Sequence, residues 1–399
     1  MPGILNEYLN KKMSVIDLQN ELSRLVRRYN SYTGRYLFIF ASDFCGIKKG
    51  IPDISMNQDD FYNIQDLLRE STADRVDVYI ETPGGSGEAA EEIARFLHKK
   101  FQEVNFVVAS EAKSAGTILV LSGDNIYMTE TGSLGPIDAQ MRIGRAVQSA
   151  YDYKEWIEQK REEANANGGL NLVDAQIISQ ITPGELAGVV NALEFAKDLV
   201  SSWLVQYKFK NWTVKANTGV VVTEMMRKER AKEVAEKLCN HSLWRSHGRS
   251  IKVEDLENLL IINKIDDDSD LSDIVYRIKI VIKLIFGTSS VYKMYKTEDT
   301  YLSKTAVISN KDFTSATSPA LQQVVEKCII NLECPQCHKH HKVEAFLNID
   351  RIEANKLGIK ENPNIDVNRN YICDSCNFAI DLKPLVNQIE QQSGKKVLL

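Results

Sequence analysis

The chain has 399 residues, of which 43% are hydrophobic and 26% charged, and its formal net charge is −5. That length accommodates two or three domains with substantial cores, and the acidic balance gives no support to nonspecific nucleic-acid binding. Five of the seven cysteines follow Ala320, which concentrates thiol chemistry near the carboxy terminus.

The opening Met1-Pro2-Gly3-Ile4-Leu5-Asn6-Glu7 lacks the basic and then apolar segments of a secretory signal, so a cytoplasmic protein is expected. Leu5, Leu9, Met13, Ile16, Leu22 and Leu25 recur at helical spacing and predict an amphipathic helix that could serve as an oligomer contact. A strand follows at 36–40. Residues 76–80 and 104–108 read as buried strands, and each gives way to small residues that open a helix.

After the first of these comes Pro83-Gly84-Gly85, then an amphipathic helix from Ser86 with Ala89, Ala90, Ile93, Ala94 and Leu97 on its apolar face. After the second comes Lys113-Ser114-Ala115-Gly116-Thr117, then an apolar run to Leu121 that predicts a buried helix. Taken singly, a Pro-Gly-Gly turn is only a turn, and a serine at a helix start is only an N-cap. Their succession gives a chemical meaning. Glycines allow a close backbone approach, helix N-termini bring unpaired N–H groups, and Ser114 stands beside them as a nucleophile. Gly84, Gly85 and Ala115 are the expected oxyanion donors.

The order strand, Pro-Gly-Gly, helix, strand, Ser-Ala-Gly-Thr, helix, short strand at 125–128 and turn at 132–138 resembles the Clp protease and crotonase superfamily. Within it, Ile80-Glu81-Thr82-Pro83-Gly84-Gly85, Ala112 to Thr117, Gly135-Pro136-Ile137-Asp138-Ala139-Gln140 and Trp244-Arg245-Ser246-His247-Gly248-Arg249 resemble the serine dehydrogenase proteinase family, relatives of the signal peptide peptidases. The resemblance extends from about residue 36 to the neighbourhood of Lys304. It implies an α/β fold built as a spiral of βαβ units with a helical extension, a serine peptidase activity and a homo-oligomer.

No histidine lies between His98 and His241, so the local serine–histidine pair of the Clp proteases cannot be built near the 132–138 turn. The related Ser-Lys peptidases carry a lysine base downstream of the serine, and the resemblance places that role on Lys154, with Lys160 second. A lysine serves as base when desolvation or a cationic neighbour depresses its pKa. Lys160 reads as a charge on a solvated helix face, and Lys113 points away from Ser114. His247 is the rival base, its alternative being a helix-ending residue before Gly248, and Asp138 either orients the base or bonds its own turn.

Residues 186–205 and 222–238 carry apolar residues at helical spacing and predict scaffold helices, and the apolar run at 274–286, broken by three cations, predicts a packed helix and not a membrane span. The Ser/Thr-rich stretch at 288–318 reads as a connection. The expected organisation is a peptidase domain at 1–310, a linker at 311–325 and a small domain at 326–399.

That last domain holds Cys334-Pro335-Gln336-Cys337 and Cys373-Asp374-Ser375-Cys376. Two C-x2-C knuckles match a four-thiolate zinc ribbon, because each two-residue gap lets both thiolates reach one tetrahedral ion. Zinc bound by Cys334, Cys337, Cys373 and Cys376 is therefore the expected cofactor, with a decorated loop at 348–368. His338, His340 and His341 read as exposed polar residues, and Cys45, Cys239 and Cys328 as small buried ones. The expected partner is a protein or peptide substrate, with no membrane; nucleic acid has no support outside what the ribbon could recruit. Two further classes fit the fold: a crotonase-like acyl-CoA enzyme, against which Ser114 counts, and a catalytically silent zinc-bearing scaffold.

Overall fold

The computed structural model describes residues 3–44, 46, 53–143, 146–215, 218–306, 327–347, 362–366, 368–393 and 396–398. They fall into two compact units, Met1–Lys311 and Asp312–Leu399. The expected linker at 311–325 and Cys45 lie outside the described residues, as does the side chain of Cys328.

The first unit begins with two helices, α1 (Ile4–Asn10) and α2 (Val15–Thr33), where the sequence predicts one. The break has a local cause. Ser14 accepts a hydrogen bond from the Asp17 N–H while the Asp17 side chain accepts one from the Ser14 N–H, a reciprocal cap that starts a new helix. Leu22 and Leu25 are buried within the unit, while Leu9 and Ile16 stay exposed.

The strands follow in chain order: β1 (Tyr36–Ser42), β2 (Arg75–Glu81), β3 (Glu103–Val108), the short β4 (Glu111–Ala112), β5 (Asn125–Met128), β6 (Ser133–Leu134), the hairpin of β7 (Gln140–Ile143) and β8 (Ala146–Ser149), then β9 (Asn263–Lys264), β10 (Val291–Lys296) and β11 (Tyr301–Thr305). Seven of them form one sheet in the order β11-β10-β1-β2-β3-β5-β9. From β1 to β9 each neighbouring pair is parallel, and β10 and β11 add an antiparallel edge. β10 and β11 are a correction: residues 288–318 read as a connection because Ser and Thr dominate the stretch, yet part of it completes the sheet.

Strands covered on both faces read as continuous apolar runs, and alternate residues serve opposite layers. Phe38, Phe40, Val76, Val78 and Ile80 join one buried cluster, and Leu37, Ile39, Tyr79 and Val107 join the other. The first layer contains α3 (Gln58–Leu68), α4 (Gly87–Lys100) and α5 (Ala115–Leu121); the helices α6 (Ala150–Asn167), α7 (Leu172–Ile178), α8 (Pro183–Trp203), α9 (Glu224–Cys239), α10 (His241–Trp244) and α11 (Val253–Leu256) come next in the chain. α12 (Ser269–Thr288) packs with α2 on the other face. It is the apolar run at 274–286, and among the described residues no helix is long and apolar enough to cross a membrane.

A second, smaller layer of pairing rises from the ends of these strands. β4 pairs in parallel with β6, Thr82 bridges to Ala112, and Leu134 bridges to Ile251. The βαβ succession therefore turns out of the main sheet just where the Gly-Gly and Ser114 motifs lie.

The second unit holds β12 (Lys327–Glu333), β13 (His340–Leu347), β14 (Asn370–Ile372), β15 (Ala379–Asp381), a helix at Lys383–Ser393 and β16 (Val397–Leu398). β12, β13 and β16 form one antiparallel sheet and β14 and β15 a hairpin, around Ile330, Leu332, Val343, Tyr371, Leu382 and Val386. Residues 348–361 of the expected loop lie outside the described residues.

Candidate active site

Ser14, Asn57, Ser86, Ser149, Thr182 and Thr223 each cap a helix with a side-chain oxygen, but Ser114 does not. Its backbone sits at φ 48° and ψ −118°, a conformation that costs a non-glycine residue free energy and persists only where the surroundings enforce it. The reading of Ser114 as a mere N-cap is thereby removed. The strained strand-to-helix turn is the geometry that projects a nucleophile's hydroxyl away from its own helix.

The enforcing contacts come from the residues around it. Thr82 N–H donates to Glu111 O at 2.9 Å and Lys113 N–H to Thr82 O at 3.1 Å, which ties the Pro-Gly-Gly loop to the serine loop. Thr117 Oγ1 donates to Ala112 O at 2.7 Å and accepts from Gly135 N–H at 2.8 Å, which adds the 132–138 turn. Gly84, at φ +102°, is so close that a Cβ there would stand 2.7 Å from Ser114 Cβ and 3.3 Å from Ala115 N. The two opening motifs therefore meet in space.

Of the three expected donors, Gly84 N–H is directed to Thr82 Oγ1 at 3.2 Å. Among the described residues the N–H groups of Gly85 and Ala115 have no hydrogen-bond acceptor: the bridge between Met56 and Gly85 uses Gly84 O and Ser86 N–H, and Ala115 is the first residue of α5. Two backbone donors thus remain free beside Ser114, one on each motif.

Residues 46–183, which hold this arrangement, match a family model described as ClpP-like SDH-type serine proteinase. The resemblance read from the motifs is borne out. Two uncharacterized proteins of Methanocaldococcus jannaschii are similar: one is 37% identical over 84 residues, covering 21% of this chain and 29% of that protein. The other is 29% identical over 159 residues, covering 36% of this chain and 53% of that one. The chain thus spans about half or less of the curated relatives it matches. Among solved structures, two mutant forms of the 1510-N membrane-bound stomatin-specific protease, one with a substrate peptide, are similar over 55% and 63% of this chain and 79% and 84% of theirs, at 11% and 13% identity and a TM-score of 0.32.

Lys113 follows the expected direction. Its ammonium leaves Ser114 and donates to Ser133 Oγ, Leu134 O, Arg249 O and Ser250 Oγ at 2.8–3.3 Å, so it binds the 245–251 segment to the serine loop. Burial depresses its pKa.

Asp138 is wholly buried and receives two histidines. Its Oδ1 lies 2.8 Å from His247 Nδ1 and its Oδ2 2.8 Å from His241 Nδ1. Burial works to raise its pKa, but the hydrogen bonds and charges of His247 and His241 outweigh it, and the carboxyl is held below its ordinary value. His247 does not end a helix; α10 stops earlier, at Arg245 in the left-handed conformation. Of the two histidines, His241 also turns Nε2 toward Asp152, 3.3 Å away on α6.

Lys154 lies two residues further along α6, partly exposed, with Glu158 at 3.8 Å. Lys160 is not on a solvated face, as its charge pattern suggests. Its side chain is 18% exposed, caught between Glu163 at 2.8 Å and Asp174 at 3.0 Å from the next helix, and these hydrogen bonds raise its pKa.

In the second unit the ligand atoms of Cys334, Cys337, Cys373 and Cys376 all lie within 4.8 Å of one another. The two knuckles are built alike. Cys334 N–H donates to Lys339 O and His338 N–H to Cys334 O, both at 2.9 Å; Cys373 N–H donates to Phe378 O and Asn377 N–H to Cys373 O, also at 2.9 Å. Each ends in a left-handed residue, His338 or Asn377 at φ 58°. Sulfurs spaced at 3.5–3.6 Å across the knuckles suit the edges of a tetrahedron around one metal. His338 is exposed as expected, but His341 is buried: Nε2 lies 3.2 Å from Cys373 Sγ and Nδ1 3.3 Å from Tyr371 Oη. An alternating strand pattern, with His341 opposite Leu332 in the β12–β13 ladder, is the signal that could have found it.

Proposed function

We propose that the chain is a serine endopeptidase that hydrolyses peptide bonds of protein or peptide substrates. The observation that carries this reading is the close approach of Gly84 to Ser114, whose backbone is strained and whose hydroxyl does not cap its helix. Ser114 Oγ attacks the scissile carbonyl, a base takes its proton and returns it to the leaving amine, and the N–H groups of Gly85 and Ala115 hold the tetrahedral oxyanion. Water then releases the acyl group by the same steps.

Two residues compete for the base. Lys154 is the one the Ser-Lys resemblance supplies, and it lies on the helix that carries Asp152 toward the Asp138 pair. To act, its side chain must leave Glu158 and lose its hydration. A specific observation favours His247 as the second reading: Asp138 fixes its Nδ1, and Nε2 is left without an acceptor or donor among the described residues.

Labelling the full chain with a fluorophosphonate, followed by mass-spectrometric mapping, tests the nucleophile. The reading expects modification of Ser114 and its loss, together with hydrolysis of an unstructured protein, in Ser114→Ala. Hydrolysis retained in Ser114→Ala overturns it.

We further propose that Cys334, Cys337, Cys373 and Cys376 hold a structural zinc ion, which closes the two knuckles without an open coordination position. The same reading divides the chain into a peptidase domain at 1–310 and a zinc-ribbon domain at 326–399, and treats the protein as a cytoplasmic homo-oligomer.

A further inference from the structure

Residues 55–57 lie between the oxyanion loop and the far edge of the sheet. On one side Met56 is laid against the Pro-Gly-Gly turn, its N–H donating to Gly84 O at 2.6 Å and its carbonyl accepting from Ser86 N–H at 2.9 Å. A Cβ on Gly85 would stand 2.2 Å from Met56 O, so this contact has no slack. On the other side Ser55 O accepts from Lys293 Nζ at 2.7 Å, and Asn57 N–H donates to Asp60 Oδ2 at 2.8 Å.

Lys293 and Asp60 complete the clasp by pairing with each other at 2.8 Å, with side chains 1% and 0% exposed. The Tyr295 hydroxyl also donates to Asp60. Desolvation cancels much of the attraction in such a pair, so a buried ion pair is weak evidence for stability in itself. What this one adds is geometry. Each partner spends a hydrogen bond on the backbone next to Met56, one before it and one after it.

We infer that the Asp60–Lys293 pair is a positioning device for the oxyanion hole: β10 and the start of α3 clamp segment 55–57, and Met56 transmits that constraint to Gly85. The direction of the Gly85 N–H is then set by a lysine 233 residues away from its carboxylate partner in sequence. The catalytic consequence rests on the peptidase reading above; the clamp itself does not.

The test uses the full chain carrying Asp60→Asn and Lys293→Met together, which removes both charges and leaves neither unpaired. Five quantities are measured: the melting transition, amide hydrogen exchange at Met56 and Ser86, the rate of fluorophosphonate modification of Ser114, and kcat and KM on an unstructured protein. The inference expects a cooperative transition, exchange at Met56 and Ser86 faster by about tenfold or more, and kcat and modification rate lower by about 10- to 100-fold with KM within about twofold. Unchanged exchange with unchanged kcat overturns it.

Should the double variant fail to fold, Tyr295→Phe keeps both charges and removes one donor to Asp60; the same pattern at about threefold supports the inference, and wild-type values overturn it. If wild-type Ser114 resists modification, the peptidase reading falls, while faster exchange at Met56 and Ser86 in the variant still supports the clamp and unchanged exchange still overturns it.

Discussion

Gly84 and Ser114 are packed so closely that a methyl group on the first would stand 2.7 Å from the Cβ of the second. Thirty residues apart in sequence, they form one surface. Ser114→Ala is expected to keep the melting temperature of the wild type and lose all modification by a fluorophosphonate. Gly84→Ala is expected to lose both, because its φ of +102° and the contacts with Lys113 O and Ser114 force the serine loop to move. Oxyanion-hole losses set the scale, about 10²- to 10³-fold in kcat. Melting curves and labelling rates of the two variants check the contrast.

Replacing the two candidate bases separates them. If Lys154 is the base, Lys154→Ala lowers kcat by about 10²-fold or more and His247→Ala changes it little; if His247 is the base, the order reverses. The rate of fluorophosphonate modification of Ser114 in each variant gives an independent reading, since only loss of the true base slows it.

Asp138 makes stability depend on acid. Its pKa is depressed in the folded state, so its contribution is present above the ordinary value of 3.8 and is lost as pH falls through the lower folded value. Asp138→Asn is therefore expected to melt lower than the wild type at pH 6, with the gap closing below pH 3.8. Thermal melting of both proteins across that range checks it, and a gap that stays constant contradicts it.

Glu81, at the end of β2, behaves in the opposite sense. Burial raises its pKa from 4.5 to about 7, against the nearby charge of Lys279 and hydrogen bonds from Tyr79 and Ser110. The folded protein holds that proton more tightly than the unfolded chain, so stability falls as pH rises from 4.5 to about 7 and stays at the lower level above it. Glu81→Gln is expected to raise the melting temperature at pH 8, by about 2–4 °C for each kcal/mol recovered, and to leave it unchanged at pH 4.5.

Metal removal addresses the second unit. Metal analysis is expected to find about one zinc per chain. A strong chelator, or Cys337→Ser, is expected to raise amide exchange across β12–β15 while β1–β3 of the first unit keep their protection. His341→Ala leaves the four sulfurs in place and is expected to weaken zinc binding by about 10-fold or more, since it removes the ring nitrogen facing Cys373.

Much of the fold was legible because its signals are local. β1, β2, β3 and β5 were readable as apolar runs, α4 and α5 as helices opening after small residues, and the two C-x2-C knuckles by spacing alone. The amino-terminal break is hidden in the sequence because helical periodicity runs straight through Ser14, while the capping box that divides the helix depends on one reciprocal pair with Asp17. β10 is hidden because Lys293 and Lys296 interrupt its pattern, and both are buried.

By itself, then, the sequence determined that Gly84, Gly85 and Ser114 each follow an apolar strand and precede a helix, since hydrophobic runs and glycine turns are written residue by residue. Only the tertiary structure decided which groups face one another. Gly84 spends its N–H on Thr82 and leaves Gly85 and Ala115 free, Asp138 gathers His241 and His247 from more than 100 residues downstream, and Lys293 reaches Ser55 from across the sheet. Such pairings rest on the ordering of distant segments by the core, and spacing along the chain carries no record of them.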